Sequence, residues 1–190
     1  YENMGIDILI GNRGKSKIVE LINNYKKTHE PYSFFTKNRD LDFENMEVEK
    51  FTTHTRAFIK VQDGCNNFCS YCIIPYVRGN IRSKKFADVI KEAEVLVANG
   101  HKEIVLTGIH TGSYSDENKD LSDVISSIAK IPGLERIRIS SIEITELNDK
   151  FLDLLKVEPK IANHLHIPLQ SGSDTILKRM NRKYDTAYFK

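Results

Sequence analysis

The sequence predicts an α/β protein built on a mostly parallel sheet. Short apolar runs alternate with longer amphipathic stretches at helical period, the connections are long enough for right-handed crossovers, and each apolar run ends in a polar or glycine-containing segment. About four strand-helix units follow one another from Arg56 to the end of the chain, as an open sheet or part of a barrel. There is no solenoid repeat and no low-complexity tract.

Taken in order, Ile6-Asp7-Ile8-Leu9-Ile10 is a strand-like run, Gly11-Asn12-Arg13-Gly14 turns the chain, and Ile18, Val19 and Ile22 mark a short helical pattern. Residues 1–22 are therefore expected to be the tail of a preceding domain. Residues 23–55 are polar, with Pro31 and scattered aromatics but no sustained period, and are expected to be a linker. Ala57, Ile59 and Val61 alternate with Phe58, Lys60 and Gln62 in a strand that runs into Asp63-Gly64. With Ser83 as a candidate N-cap, Phe86, Val89, Ile90, Ala93, Leu96 and Val97 recur at helical spacing until Gly100 supplies a stop. A strand over Glu103–Ile109 and a helix carrying Leu121, Val124, Ile125 and Ile128 follow, ending before Pro132-Gly133. The pattern continues with a strand over Arg136–Ile142 and a helix carrying Leu147, Phe151, Leu154 and Leu155. A strand over His164–Leu169 and a helix from about Asp174 complete it.

With 190 residues and 40% hydrophobic content the chain has material for one main core. No apolar run approaches the roughly 20 residues of a membrane-spanning helix, and Tyr1 opens into polar sequence without a signal pattern, so the expected location is cytoplasmic with no membrane partner. Lys plus Arg number 28 against 26 for Asp plus Glu, a balance that neither demands nor excludes nucleic acid. An opening without Met and an end at Lys190 inside a helical pattern suggest a piece of a longer polypeptide.

All three cysteines, Cys65, Cys69 and Cys72, fall within eight residues, which points to reduced thiols grouped around a ligand rather than to disulfides. Thiolates at i, i+4 and i+7 can wrap one 4Fe-4S cubane and leave one iron open. An open iron can chelate the amino and carboxylate groups of S-adenosylmethionine (SAM) and pass an electron to its sulfonium. A zinc site or three ordinary buried thiols is the alternative, though a zinc site wants a fourth ligand and His54 and His101 lie well outside the loop.

In a parallel α/β sheet the loops after the strands meet at its carboxyl end. Here those loops are Asp63 to Gly79, Thr107 to His110, Ser140 to Glu143, and Gln170 to Ser173. His110 is a cofactor contact or a turn residue, while His164 and His166, on one strand face, are better read as structural. Glu143 either binds a cofactor hydroxyl or ammonium, caps the next helix or sits in solvent. Gln170-Ser171-Gly172-Ser173 either contacts ribose or N-caps a helix. Arg78, Arg82, Lys84 and Lys85, and further on Lys178, Arg179, Arg182 and Lys183, are phosphate-binding groups or solvated helix faces.

The run Gln62-Asp63-Gly64-Cys65-Asn66-Asn67-Phe68-Cys69-Ser70-Tyr71-Cys72-Ile73-Ile74-Pro75-Tyr76, with Arg78-Gly79, resembles the methylthiotransferase family of radical SAM enzymes. Leu106 to His110, Arg138-Ile139-Ser140-Ser141, His166 to Ser173 and Met180-Asn181-Arg182 share the resemblance, which covers residues 56–190. It implies a radical SAM domain over 56–190, folded as a partial (βα) barrel truncated to about four units, after the remnant of an N-terminal α/β domain. It also implies that Cys65, Cys69 and Cys72 ligate the cluster and that Thr107, Gly108 and His110 lie near the methionine end of SAM, with Ser141, Glu143 and Gln170 as further cofactor contacts. No catalytic residue is assigned. One SAM would provide the radical and another the methyl group. The family's N-terminal domain holds a second 4Fe-4S cluster that these residues cannot form, so this chain alone is not expected to complete methylthiolation.

His54-Thr55-Arg56-Ala57-Phe58 and Thr107 to His110 look most like the branch that methylthiolates carbon 2 of N6-threonylcarbamoyladenosine in tRNA. The implied partners are a tRNA anticodon stem-loop and an electron donor such as flavodoxin. The branch acting on isopentenyladenosine usually shows Gly-Gln-Asn where this chain has Thr107 to His110, and a third branch modifies a ribosomal protein. From another class, a non-catalytic iron-sulfur or zinc module would bind RNA or pass electrons.

Overall fold

The apolar runs from Arg56 onward do form a parallel sheet, and the computed structural model describes the chain over residues 5–34 and 42–190. In chain order the elements are β1 (Ile8–Ile10), α1 (Ile18–Thr28), β2 (Tyr32–Phe34), β3 (Arg56–Asp63), α2 (Ile74–Arg78), β4 (Arg82–Ser83), α3 (Phe86–Ala98) and β5 (Glu103–Gly108). There follow β6 (Ser115–Asp116), β7 (Lys119–Asp120), α4 (Leu121–Ile128), β8 (Arg136–Ile139), α5 (Asp149–Val157), α6 (Asp174–Arg179) and α7 (Thr186–Phe189). The main sheet has the order β4-β3-β5-β8, with β3, β5 and β8 parallel and β4 antiparallel at the edge.

Period-two alternation explains the core. Ala57, Ile59 and Val61 from β3, Ile104 and Leu106 from β5, and Ile137 and Ile139 from β8 are buried with Val89, Ala93 and Leu96 of α3 and Val124, Ile125 and Ile128 of α4. Burying each Val, Leu or Ile of this set is worth about 1.5–3 kcal/mol, so this layer of helices on strands is what holds the sheet. At the end of β3 the register against β5 shifts between Lys60 and Gln62, placing Gln62 opposite Gly108. That bulge turns the chain out of the sheet and into the cysteine loop.

Several expectations need correction. The apolar stripe of the first helix continues past Ile22 through Tyr25, whose hydroxyl donates to the Asp7 carboxylate at 2.6 Å, so α1 runs to Thr28. Beyond it β2 pairs in parallel with β1, and the expected boundary at residue 22 therefore cuts through one β-α-β unit. Part of the expected linker, residues 35–41, lies outside the described residues. The part from 42 to 55 has no regular structure but is strapped to α3 and its surroundings. Asn45 donates to Asp88, the Val48 N–H to Glu92, the Phe51 N–H to His101, and Asn99 to the Glu49 carbonyl.

Ser83 sits in β4 and caps nothing; the α3 N-terminus is served from a distance, where the Phe86 N–H donates to the Asp116 carboxylate at 2.7 Å. The strand expected over His164–Leu169 does not form. Only Ile161 makes a bridge, to Ile137, and the backbone then diverges: the Ile142 N–H donates to the His166 carbonyl, and Pro168 has no N–H with which to continue a ladder. Among the described residues the parallel sheet thus has three full strands. No helix is long and apolar enough to cross a membrane.

Candidate iron-sulfur site

Two backbone devices shape the cysteine loop. Gly64 has φ +75° and lies so close to the returning strand that a Cβ there would stand 2.0 Å from the Asn80 carbonyl oxygen. The Cys65 N–H donates to the Gly79 carbonyl at 3.2 Å, closing the base of the loop. Between these points the loop carries the three cysteines and α2, whose first turn accommodates Pro75.

Asp63 locks that base. Its carboxylate accepts from Lys60 at 2.7 Å, Arg82 at 2.7 Å, Arg78 at 3.2 Å and the Gly64 N–H at 2.8 Å. Arg82 also donates to the Arg78 and Asn80 carbonyls, so one buried guanidinium ties both arms together. Burial works to raise the Asp63 carboxyl, but Lys60, the Gly64 N–H and Arg82 hold it down at about 2. A carboxyl depressed in the fold stabilises it fully above the unfolded value, about pH 4, and that contribution is lost as pH falls toward 2. Asp63→Asn is therefore expected to cost at least about 2 kcal/mol near neutral pH and to flatten the acid limb of the stability curve. Urea midpoints from pH 2 to 7 check this, and an unchanged acid limb would refute it.

The basic residues beside the loop thus have a different role from either one the sequence suggested. Arg78 and Arg82 pair with Asp63, and Lys84 is buried against Glu92; Lys85 alone of this group is exposed. In the second group Lys178, Arg179 and Lys183 are exposed, but the Arg182 side chain is only 4% exposed and is drawn into the site.

Each predicted loop reaches the carboxyl end of the sheet to a different degree. Thr107 and Gly108 close β5, half-buried, and His110 is buried just beyond. The Gln62 side chain joins this loop to the cysteine loop: its amide donates to the Asp63 and Gly64 carbonyls and its oxygen accepts the His110 N–H at 2.7 Å. The His110 ring stands 2.8 Å from Glu146, within 2.9 Å of the Ser113 hydroxyl and 3.4 Å from the Asn67 amide. Burial opposes a charge on His110, but the Cys65 sulfur and Glu146 override it and raise the imidazole to about 10. In turn, burial works to raise the Cys65 thiol, and His110 with the Asn67 N–H outweighs it and lowers it.

Ser141 is half-buried after β8. Glu143 caps a short 3-10 turn in a reciprocal arrangement with Glu146 and pairs with Arg182, so of its three alternatives capping is realised and solvent exposure is not. Gln170 has φ +66° in an exposed turn, and Ser173 occupies the N-cap position of α6 without a side-chain cap. His164 and His166 are exposed and outside any strand, contrary to the structural role expected of them. Glu146 is not among the residues the sequence singles out, and Gln62, Asn67 and Asn181 enter only as parts of motifs. The Glu143-x-x-Glu146 spacing is the signal of a capping box that would have found Glu146.

These donors suit thiolates. The three cysteines are free, half-buried and carried on one loop; Cys65 accepts from the Asn67 N–H at 3.4 Å and Cys69 from Arg182 at 3.2 Å. Among the described residues no three His, Cys, Asp or Glu side chains gather around a single metal ion. A cubane places each thiolate on its own iron, so its ligands do not share one ion and the loop fits it.

Comparisons with known proteins agree with this chemistry. Residues 59–190 match the family model described as the radical SAM superfamily. Over 189 residues, 97% of the chain, it is 45% identical to the threonylcarbamoyladenosine tRNA methylthiotransferase MtaB of Bacillus subtilis (strain 168), covering 42% of that protein. It is 35% identical over 187 residues, 97% of the chain, to the tRNA-2-methylthio-N(6)-dimethylallyladenosine synthase of Clostridium perfringens (strain SM101 / Type A), again covering 42% of it. The chain thus spans about two fifths of the length of the curated relatives it matches. In fold it resembles the radical S-adenosylmethionine methyltransferase TsrM of Kitasatospora setae, solved with cobalamin and a 4Fe-4S cluster bound. That match has a TM-score of 0.56 at 17% identity and covers 70% of this chain and 27% of that one.

Proposed function

Because the chain belongs to the radical SAM superfamily, we propose that it is the cluster-bearing core of a tRNA methylthiotransferase acting at carbon 2 of N6-threonylcarbamoyladenosine beside the anticodon. The observation that carries this reading is the cysteine loop itself: three free thiols at the carboxyl end of a parallel sheet, with two of them accepting bonds from protein donors. The relatives support the branch, since identity to the threonylcarbamoyladenosine enzyme of Bacillus subtilis is 45% and to the dimethylallyladenosine enzyme of Clostridium perfringens 35%. The three strands with their helices are read as part of a (βα) barrel, with residues 56–190 as the radical SAM domain.

In this reading Cys65, Cys69 and Cys72 hold a 4Fe-4S cluster. When bound, the cluster supplies the electron that cleaves SAM. The chain's own residues set up that chemistry. His110 places positive charge beside Cys65, which favours its thiolate form, and Arg182 donates to the Cys69 sulfur. Gln62 and Asp63 fix the base of the loop that carries the cysteines. Thr107, Gly108, His110, Ser141, Glu143 and Gln170 are proposed to line the SAM side; for Glu143 this requires that its carboxylate serve Arg182 and cofactor together. The location that goes with this function is the cytoplasm, and an electron donor such as flavodoxin completes it.

Two measurements test the proposal. An electron paramagnetic resonance spectrum of anaerobically reconstituted, dithionite-reduced protein is expected to show a 4Fe-4S signal that changes on adding SAM; zinc in its place would overturn the reading. Nucleoside mass spectrometry of tRNA from a deletion strain carrying the full-length gene is expected to restore 2-methylthio-N6-threonylcarbamoyladenosine. Restoration of only the isopentenyl product, or modification of a ribosomal protein, would move the chain to another branch.

A further inference from the structure

Arg182 reaches several parts of the site, although it lies far along the chain from the cysteines. Its guanidinium donates to Cys69 Sγ at 3.2 Å across 113 residues and pairs with Glu143 from the loop after β8. Its guanidinium carbon lies over the Tyr184 ring, 5.1 Å from the centroid, and the Tyr184 hydroxyl donates to the Pro168 and Leu169 carbonyls at 3.0 and 2.9 Å. The residues just before it grip the cysteine loop as well. The Ser70 N–H donates to the Met180 carbonyl at 3.2 Å, and the Asn181 amide donates to the Asn67 and Phe68 carbonyls. Asn181 takes φ +58° to make that turn, and Phe68 takes φ +48° to meet it.

On the reading of the loop as a cluster site, we propose that Arg182 is a positioning residue that clasps the cysteine loop to the 168–184 segment and sets the reduction potential of the cluster through Cys69. A guanidinium held by an opposing carboxylate and placed over an aromatic ring is pre-organised, unlike a lysine, to donate in a fixed direction. A charge-assisted N–H···S bond stabilises the reduced, more negative state of a cluster, and in a water-poor site that charge is little screened. Glu143 works against it by neutralising part of the same charge.

The sign of two substitutions separates this role from simple bracing. In the reconstituted full-length protein, titrating the SAM-responsive signal, Arg182→Met is expected to make reduction at least tenfold less favourable, about 59 mV for one electron. Arg182→Lys should fall between it and the parent. Glu143→Gln is expected to shift the potential the opposite way, because it frees positive charge toward Cys69. A shift below threefold in Arg182→Met, or a shift of the same sign in both Arg182→Met and Glu143→Gln, would overturn the proposal. Glu143→Gln also decides the matter should Arg182→Met fail to fold. If the parent shows no SAM-responsive signal, the cluster reading fails and the electronic half of the proposal with it. The clasp is then judged in metal-free protein, where Arg182→Met must speed exchange of the Ser70 amide at least tenfold; an unchanged rate rejects it.

Discussion

Replacing Lys84 with Met is expected to destabilise the fold by about 3–5 kcal/mol. The Lys84 side chain is 1% exposed and its ammonium rests on Glu92, which is 4% exposed on the inner face of α3 beside Val89, Ala93 and Leu96. Removing the cation leaves a carboxylate in an apolar layer with, among the described residues, only the Val48 N–H, at 3.1 Å, as a partner. The double replacement Lys84→Met with Glu92→Leu is expected to recover part of the loss, since no charge is then stranded. It should not recover all of it, because the Val48 N–H loses its acceptor, a cost of about 1–3 kcal/mol. Urea unfolding of the two variants gives the order, and a loss below about 1 kcal/mol in Lys84→Met would contradict the burial of the pair. The consequence reaches function, because Glu92 fastens the strap that leads from the β1-α1-β2 unit into β3. On the other side of the site that unit touches the cysteine loop, where Asn12 donates to the Val77 carbonyl at 2.9 Å.

The fold was legible where period and length reinforced each other. Alternation in Ala57, Ile59 and Val61 and the helical recurrence from Phe86 to Val97 each cover enough residues to exclude the other period, and both elements stand where expected. β1 has three residues but lies in an apolar run, whereas elements of two or three residues outside such a run have no period to read. β2, and the hairpin of β6 and β7 with Glu117 at φ +50° in its turn, therefore went unseen. His164 to Leu169 shows the opposite failure. Its apolar residues alternate as a strand's do, yet a strand is made by partners, and after Ile161 bridges Ile137 the backbone parts from β8, which runs on to Ile139.

The site divides in the same way. Three cysteines on one loop are a local signal, so spacing alone found them. Cys65 has a donor within the loop, the Asn67 N–H, but the charged partners come from elsewhere: Arg182 from across 113 residues, and His110 fixed by Gln62 across 48. Nothing local in Met180-Asn181-Arg182 distinguishes a residue aimed at a thiolate from one on a solvated helix. The basic residues from Arg78 to Lys84 were misjudged for a related reason, since composition counts charges without showing that Asp63 and Glu92 neutralise them inside the fold.

Substituting Gly64 with Ala is expected to cost more than about 3 kcal/mol and to open the cysteine loop at its base. Two separate costs add at this position. A left-handed backbone alone costs a residue with a Cβ about 1–2 kcal/mol. The new methyl group would also stand 2.0 Å from the Asn80 oxygen and 2.7 Å from the Gly79 oxygen, both main-chain atoms that no rotamer change can move aside. Relief requires the strands to part where the Cys65 N–H meets the Gly79 carbonyl and where Asp63 faces Arg82, so the strain falls on the closure of the loop. Gly100 supplies the control, with φ +97° but no atom within 4 Å of its Cβ position. Gly100→Ala should therefore show the backbone cost alone, about 1–2 kcal/mol, and leave the cysteines unaffected. Thermal unfolding and the rate of thiol modification at Cys65 measure both effects. A Gly64→Ala protein no less stable than Gly100→Ala, with unchanged thiol reactivity, would show that the crossing at Asn80 has room to relax and that the loop base is not set by that contact.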